Sequence, residues 1–401
     1  MHSKEQVLKL IRDRVHHPAT VRELMQTFRV HPEARQAFKS HVRALVSSGD
    51  LVQIRDNRVG LPDKMDLVVG RLTANPAGFG FVAPERGEPG APDVYIPAAH
   101  LHEAMQGDRV VVRVERHRGV DRPEGRVVKI LERSRSAVVG RYDVDEGGLG
   151  FVVPFDVRVA MDVHVPPGEA GSARPGDAVT VEVTRWPTPT RGPVGRVTEV
   201  LGQMGARGVD TAVIIRKHGI PEAHEAEAVA EARALSLDPA RDFAGRTDFR
   251  DTVTVTIDGE HARDFDDAVS LERLPNGHFW LGVHIADVAS YVAEGSRLDQ
   301  AAYERATSVY FPERAVHMFP AELATGLCSL NPKVDRLVQS CLMEIDRQGS
   351  VLRCEFHDGI IRTAERMTYT DVNAILTDRD SALRGRYAPL VPLFELMEPA
   401  R

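Results

Sequence analysis

Cysteine is scarce: the 401 residues carry three, Cys328, Cys341 and Cys354. The number is odd and no CxxC pair occurs, which excludes a disulfide framework and a thiolate zinc site. The three are expected to be reduced, buried thiols of a cytoplasmic protein. No apolar run is long enough to cross a bilayer, so no membrane segment is expected. The opening MHSKEQVLKLIRDR lacks an apolar h-region and a small-residue cleavage site, so it does not read as a secretory signal. A general excess of positive charge is missing too, since the formal net charge is -7. That first argues against nucleic acid, but the distribution matters more than the sum. Residues 1–64 hold twelve Lys/Arg against seven Asp/Glu, whereas residues 248–300 hold four Arg against eleven Asp/Glu.

Apolar periodicity at Val7, Leu8, Ile11 and Val15 predicts a helix over residues 4–14. Thr20 opens a second, TVRELMQTF, and PEARQAFKSHVRALVSSG a third that stops at Gly49. Two short extended runs then flank Asp56 and Asn57. Three helices and a hairpin give a winged helix-turn-helix over residues 1–64, with nucleic-acid contact or helical docking as its use.

The next segment repeats. GRLTANPAGFGFVAP at Gly70 returns as GRYDVDEGGLGFVVP at Gly140, and DVYIP, GDRVVVRV and EGRVVKIL each have a later counterpart. Short β-rich runs between Gly, Pro and Asp turns predict two five-stranded barrels of the OB type, at residues 65–134 and 135–205. In the first copy Phe79 and Phe81 alternate with glycines and share a strand face, where they can stack on bases. This Gly-aromatic pattern resembles cold-shock domains. The second copy has Leu149 and Phe151 there, which suit a surface or a core equally. A connector at residues 206–247, rich in Ala and Glu in PEAHEAEAVAEARAL, is expected to face solvent.

DTVTVTIDGEHARDFDDAVSLERLPNGHFWLGVHIADV reads as strand, loop, strand, turn and strand. Asp258 ends the first strand, the loop carries Asp264, and Asp266 and Asp267 lead into the second. Four carboxylates within ten residues repel one another, and desolvating them unpaired costs several kcal/mol each. A hard divalent cation offsets that cost, and Mg²⁺ favours a few carboxylates plus water and phosphate oxygens. Such a centre suits in-line phosphodiester hydrolysis. Arg263 could neutralise charge or contact phosphate. A helix-loop-helix Ca²⁺ site fails, because Val269 and Pro275 stand where Gly and Glu are needed. Salt bridges to Arg263 and Arg273 could account for one or two of the carboxylates, not four.

TIDGEHARDFDDAV, LGVHIADV, YVAEGSRLDQAAYERATSVYFP and GLCSLNPKVDRL closely resemble the catalytic (RNB) domain of the ribonuclease II/ribonuclease R family. The order of modules resembles the ribonuclease R branch. The resemblance implies a multidomain α+β protein: winged helix-turn-helix, two OB-fold, cold-shock-like barrels, then an RNB domain over residues 248–401. It implies processive, Mg²⁺-dependent 3′-to-5′ hydrolysis of RNA to nucleoside 5′-monophosphates. It maps the family's active-site aspartates onto Asp258, Asp264, Asp266 and Asp267, with Asp258 and Asp267 as metal ligands and Asp266 essential to the chemical step. It places RNA-contacting aromatics at Tyr310 and Tyr369, beside Phe79 and Phe81 on the first barrel; core packing is the alternative for both tyrosines. His261 replaces an acidic residue often found in that loop. The family's domain continues past the final FELMEPAR, so the sequence is expected to be C-terminally truncated, with weak or no turnover by itself. RNA is the expected partner, a monomer the expected state, and a non-catalytic RNA-binding module the alternative function. A DNA nuclease is the third reading.

Overall fold

Ser3 and Thr20 each open a helix by a reciprocal cap. The Gln6 amide donates to Ser3 Oγ at 3.3 Å while Ser3 N donates to Gln6 Oε1 at 2.9 Å. Thr20 and Glu23 repeat the exchange at 2.7 and 3.2 Å. These caps start α1 (Lys4–Arg14) and α2 (Val21–Thr27), and α3 (Arg35–Ser47) follows. Strands β1 (Ala19–Thr20), β2 (Val52–Gln53) and β3 (Arg58–Gly60) pair in the order β1-β3-β2. Val7, Ile11, Leu24, Phe38, Val42 and Leu45 close the core, which is the winged-helix arrangement. This computed structural model describes residues 3–15, 17–86, 90–117, 123–134, 136–188, 190–388, 391, 392 and 395. Apart from Glu395, the terminal FELMEPAR lies outside them.

The chain divides into two compact units, residues 1–219 and 220–401. In the first, two closed barrels follow the winged helix. One is built from β4 (Leu67–Ala74), β5 (Gly80–Pro84), β6 (Val94–Ile96), β7 (Arg109–His117) and β8 (Pro123–Glu132). The other uses β9 (Ala137–Val144), β10 (Gly150–Pro154), β11 (Val163–Val165), β12 (Asp177–Arg185) and β13 (Val194–Gln203). Corresponding strands pair identically, so the sequence repeat is a structural one. Gly70 and Gly140 show why: a Cβ at either would collide with the carbonyl oxygen of Ala83 or Val153 on the neighbouring strand. Arg109 of β7 ties the first barrel to the winged helix by donating to the Ser48 carbonyl at 2.9 Å, and Glu85 of the same barrel braces its guanidinium. Helix α4 (Val209–His218) packs Val209 and Ile215 inward.

The second unit centres on a seven-stranded sheet ordered β14-β21-β20-β17-β16-β15-β22. Its strands are β14 (Thr247–Asp248), β15 (Thr254–Asp258), β16 (Asp267–Arg273), β17 (Phe279–Ala286), β20 (Asp335–Ile345), β21 (Val351–Arg362) and β22 (Glu365–Thr368). A separate ribbon joins β18 (Val309–Tyr310) to β19 (Ala315–Val316). Helices α5 (Ala226–Ala234) and α7 (Arg297–Arg305) pack on the Phe265, Ala286, Leu298 and Leu330 side, and the short α6 (Pro239–Asp242) follows α5 in the chain. Helices α8 (Tyr369–Thr377) and α9 (Ala382–Arg386) contribute to the opposite core with Val255 and Met367.

Two expectations need correction. The connector faces solvent over most of its surface but not all of it: Ala228 and Ala232, one turn apart on α5, are buried against the sheet core because their small side chains allow close approach. The cysteines are not all buried either. Cys328 is buried and Cys341 partly so, but Cys354 is exposed on β21. Among the described residues no helix is long and apolar enough to cross a membrane.

Candidate metal and RNA site

Strand geometry gathers the aspartates. Strands β15 and β16 run antiparallel, so Asp258 at the end of one and Asp267 at the start of the other lie at the same sheet edge. Asp264 and Asp266 sit in the loop between them. Strand β22 runs parallel to β15 with Thr368 opposite Asp258, which brings Tyr369, the first residue of α8, to that edge. Thr368 fixes the start of α8 by accepting from the Asp371 amide at 3.0 Å.

Ser329 pins the loop. Its side chain is fully buried, accepts from the Phe265 amide at 3.0 Å and donates to the Arg263 carbonyl at 2.9 Å. The Leu330 amide adds a bond to the Phe265 carbonyl at 2.8 Å. Phe265 anchors in the core; Asp266 and Asp267 keep exposed positions after it, while the Asp264 side chain before it is largely covered. Thus the GLCSLNP segment positions the aspartate loop, a role that its sequence did not announce. A lone Ser between the apolar Cys328 and Leu330 was the one available hint in the sequence.

The electrostatics of the edge are unfavourable without a cation. Burial, and then the Asp267 carboxylate, push the Asp258 carboxyl up to about 6, against the pull of Arg366. Asp258 Oδ2 is buried with no hydrogen-bond partner in the protein. Asp266 keeps an exposed edge, yet desolvation on its inner side and the Asp264 and Asp267 charges raise its carboxyl too; His317 opposes them. The compensating cation nearby is Arg366 on β22, not Arg263 or Arg273. Arg366 donates to the Gly259 carbonyl and lies 5.7 Å over the Phe265 ring, whereas Arg273 stacks on Phe279. Asp264 is held from the ribbon: Tyr310 Oη donates to its Oδ2 at 2.5 Å, and His317 Nδ1 stands 3.5 Å away. Arg366, Ser329 and His317 were not singled out in the sequence, since each reaches the loop only through the tertiary fold.

The donor set fits a hard divalent cation: oxygen ligands, an orphaned buried carboxylate atom and carboxyls destabilised by their neighbours. Among the described residues, no group of three or more His, Cys, Asp or Glu side chains is placed to hold a metal ion, so the fit rests on Asp258 and Asp267 as a pair, with water and phosphate oxygens left to fill the other positions. Tyr310 and Tyr369 are 62% and 63% exposed, so neither is a core residue. Tyr369, Asp267 and Asn373 line a cavity of about 370 Å³ between β15, β16 and α8. On the first barrel, Phe79, Phe81 and Tyr95 form one aromatic patch with ring centroids 5.5 to 5.7 Å apart. Tyr95 joins because β6 pairs it directly with Phe81. On the second barrel Leu149 is 49% exposed, which favours a surface over a core position.

Comparison with known proteins gives the context. The RNB domain matches residues 246–396, a cold shock domain residues 151–224, and a ribonuclease B OB domain residues 70–130. The ribonuclease R of Acidithiobacillus ferrooxidans is 40% identical over 95% of this chain and 86% of its own length. The chain belongs to the ribonuclease R family. The ribonuclease R of Thermotoga maritima is also 40% identical, over 99% of this chain and 56% of that protein. Among solved structures, Mycoplasma genitalium RNase R in complex with ribose methylated single-stranded RNA has a TM-score of 0.69 at 26% identity. That match covers 78% of this chain and 49% of the Mycoplasma chain. The chain therefore spans about half the length of two of these relatives and most of the third.

Proposed function

We propose that the aspartate edge serves processive, Mg²⁺-dependent 3′-to-5′ hydrolysis of single-stranded RNA in the cytoplasm, releasing nucleoside 5′-monophosphates. The observation that carries this reading is the orphaned Asp258 carboxylate facing Asp267 at a shared strand edge. Family membership, and the single-stranded RNA on the Mycoplasma relative, support the choice of RNA.

Asp258 and Asp267 would hold the cation and leave its other positions to water and phosphate oxygens. Once bound, Mg²⁺ supplies Lewis-acid stabilisation of the phosphorane-like transition state and a more acidic water. The protein's own residues do the positioning. Tyr310 and Tyr369 stack on bases near the scissile bond, a contact that tolerates any sequence. Asp264 fixes the Tyr310 ring through its phenol. Asp266 stands beside Asp267, where a carboxylate can orient the attacking water in line with the leaving 3′-oxygen. The Phe79, Phe81 and Tyr95 patch gives the incoming strand a second stacking surface. A tailed RNA incubated with Mg²⁺ should yield mononucleotides, and Asp266→Asn should stop their release without loss of RNA binding. Binding with no product in either protein would instead favour a non-catalytic RNA-binding module.

A further inference from the structure

The matched domains begin at residue 70, so the winged helix at the N-terminus is left without an assigned role. Its third helix has an unusual face. Arg35, Lys39 and Arg43 follow one another at four-residue steps along α3, and all three are exposed. Phe38, Val42 and Leu45 occupy the buried side. The helix, RQAFKSHVRALVS, contains no acidic residue. Among the described residues none of the three cations is in an ion pair. Of the neighbouring acids, Glu23 is engaged with the Thr20 amide and Arg58, and Glu33 points into solvent 3.8 Å from His31 without pairing with any of the three. By contrast Arg58, Arg86, Arg109 and Arg133 of the same unit are all neutralised by carboxylates. The remaining exposed positions on α3 include Gln36 and Ser40, both neutral hydrogen-bonding groups.

Four residues of α-helix rise about 6 Å, so the row is a rigid line of evenly spaced cations. Its natural complement is a polyanion whose charges are also fixed and evenly spaced. A single strand is flexible, and surfaces that bind it interleave cations with aromatic rings. The exposed face of α3 has no aromatic residue. A duplex backbone is the better fit. In A-form RNA the major groove is too deep and narrow for a helix, so contact would be with phosphates rather than base edges.

We propose that α3 binds the phosphate backbone of duplex RNA through Arg35, Lys39 and Arg43, independently of sequence. The choice of RNA over DNA rests on the exoribonuclease reading above; the duplex-binding face does not.

The test uses the full chain, with EDTA present so that hydrolysis plays no part. Affinity for a blunt RNA hairpin without a tail is measured over a series of salt concentrations, beside an unstructured strand of equal length. R35A/K39A/R43A should weaken hairpin binding at least about tenfold and reduce the slope of log K against log salt by roughly 2 to 3. Binding of the unstructured strand should change less than about twofold, because the barrels hold it. R35K/K39R/R43K should restore hairpin binding, which separates charge from folding. Unchanged hairpin affinity and slope in the alanine variant would overturn the proposal, as would equal loss for both RNAs. Tighter binding of the same duplex made as DNA would overturn the choice of RNA alone.

Discussion

Tyr310 donates its phenolic hydrogen to Asp264 at 2.5 Å while most of its ring stays in solvent. A ring that is exposed but tethered is pre-set for stacking, and burial plus this bond push its phenol up to about 12. Y310A should therefore weaken single-stranded RNA binding by about 1–3 kcal/mol, one base's worth of stacking. Y310F keeps the ring face and loses only the tether, so its loss should be smaller. Fluorescence anisotropy with a labelled strand separates the two. Equal losses would show that the hydroxyl, not the ring, carries the contact.

The pH dependence of metal binding follows from Asp258. Its folded value near 6 lies above the ordinary 3.8, so the folded chain holds this proton more tightly than the unfolded chain. That contribution is fully present below about pH 4 and is lost as pH rises through about 6. Above that range the metal-free edge carries negative charge that Arg366 only partly offsets, and bound Mg²⁺ would relieve the rest. The thermal midpoint should thus rise with added Mg²⁺ around pH 8 and hardly move around pH 5, where protons compete. D258N should raise the metal-free midpoint around pH 8 and abolish the Mg²⁺ gain. A Mg²⁺ gain in D258N equal to that of the wild type would rule out Asp258 as a ligand.

His284 predicts an opposite acid effect. It is fully buried between Ser270 Oγ at 3.0 Å and Ser340 Oγ at 2.8 Å, and burial lowers it to about 4 from 6.5. A histidine buried neutral contributes stability that is present above about pH 6.5 and lost as pH falls towards 4. H284L removes that acid sensitivity. It also strands two hydroxyls in the core, at a cost of roughly 1–3 kcal/mol each. Urea denaturation at two pH values measures both effects.

Ser329 should matter to the site without touching RNA. S329A deletes both bonds that hold Arg263 and Phe265, leaving buried backbone groups unpaired at a cost of about 1–3 kcal/mol each. The loop should loosen, and the Mg²⁺-dependent rise in midpoint should shrink even though Asp258 and Asp267 are intact. S329T, which keeps the hydroxyl, should restore most of that rise. An unchanged Mg²⁺ response in S329A would show that the loop is held by Phe265 packing alone.

The parts legible in sequence were those written locally. The strand-loop-strand around Asp258 to Asp267 lies in one short stretch, so alternation and turn residues placed it. The barrels were legible because they repeat, and the first helices because Val7, Leu8, Ile11 and Val15 fall on one face and Thr20 marks the next start. What stayed hidden is joined across the fold. Arg366 reaches Asp258 only through parallel pairing of β22 with β15, which no local pattern encodes. Ser329 and His317 come from segments that fold back on the loop. The α5 alanines misled because Ala228 and Ala232 look alike in an exposed helix and in a tightly packed one. Arg263 misled through proximity in sequence, although its side chain makes no ion pair with the four carboxylates among the described residues.

The most direct measurement is product analysis on a 3′-hydroxyl, single-stranded RNA with Mg²⁺, comparing the chain with its D266N variant. The expected result is release of nucleoside 5′-monophosphates from the 3′ end, however slow, and none from D266N, with equal RNA binding by both. Release that D266N leaves unchanged would contradict a hydrolytic role for the aspartate edge, and RNA bound by both proteins with no mononucleotide from either would contradict turnover by these 401 residues.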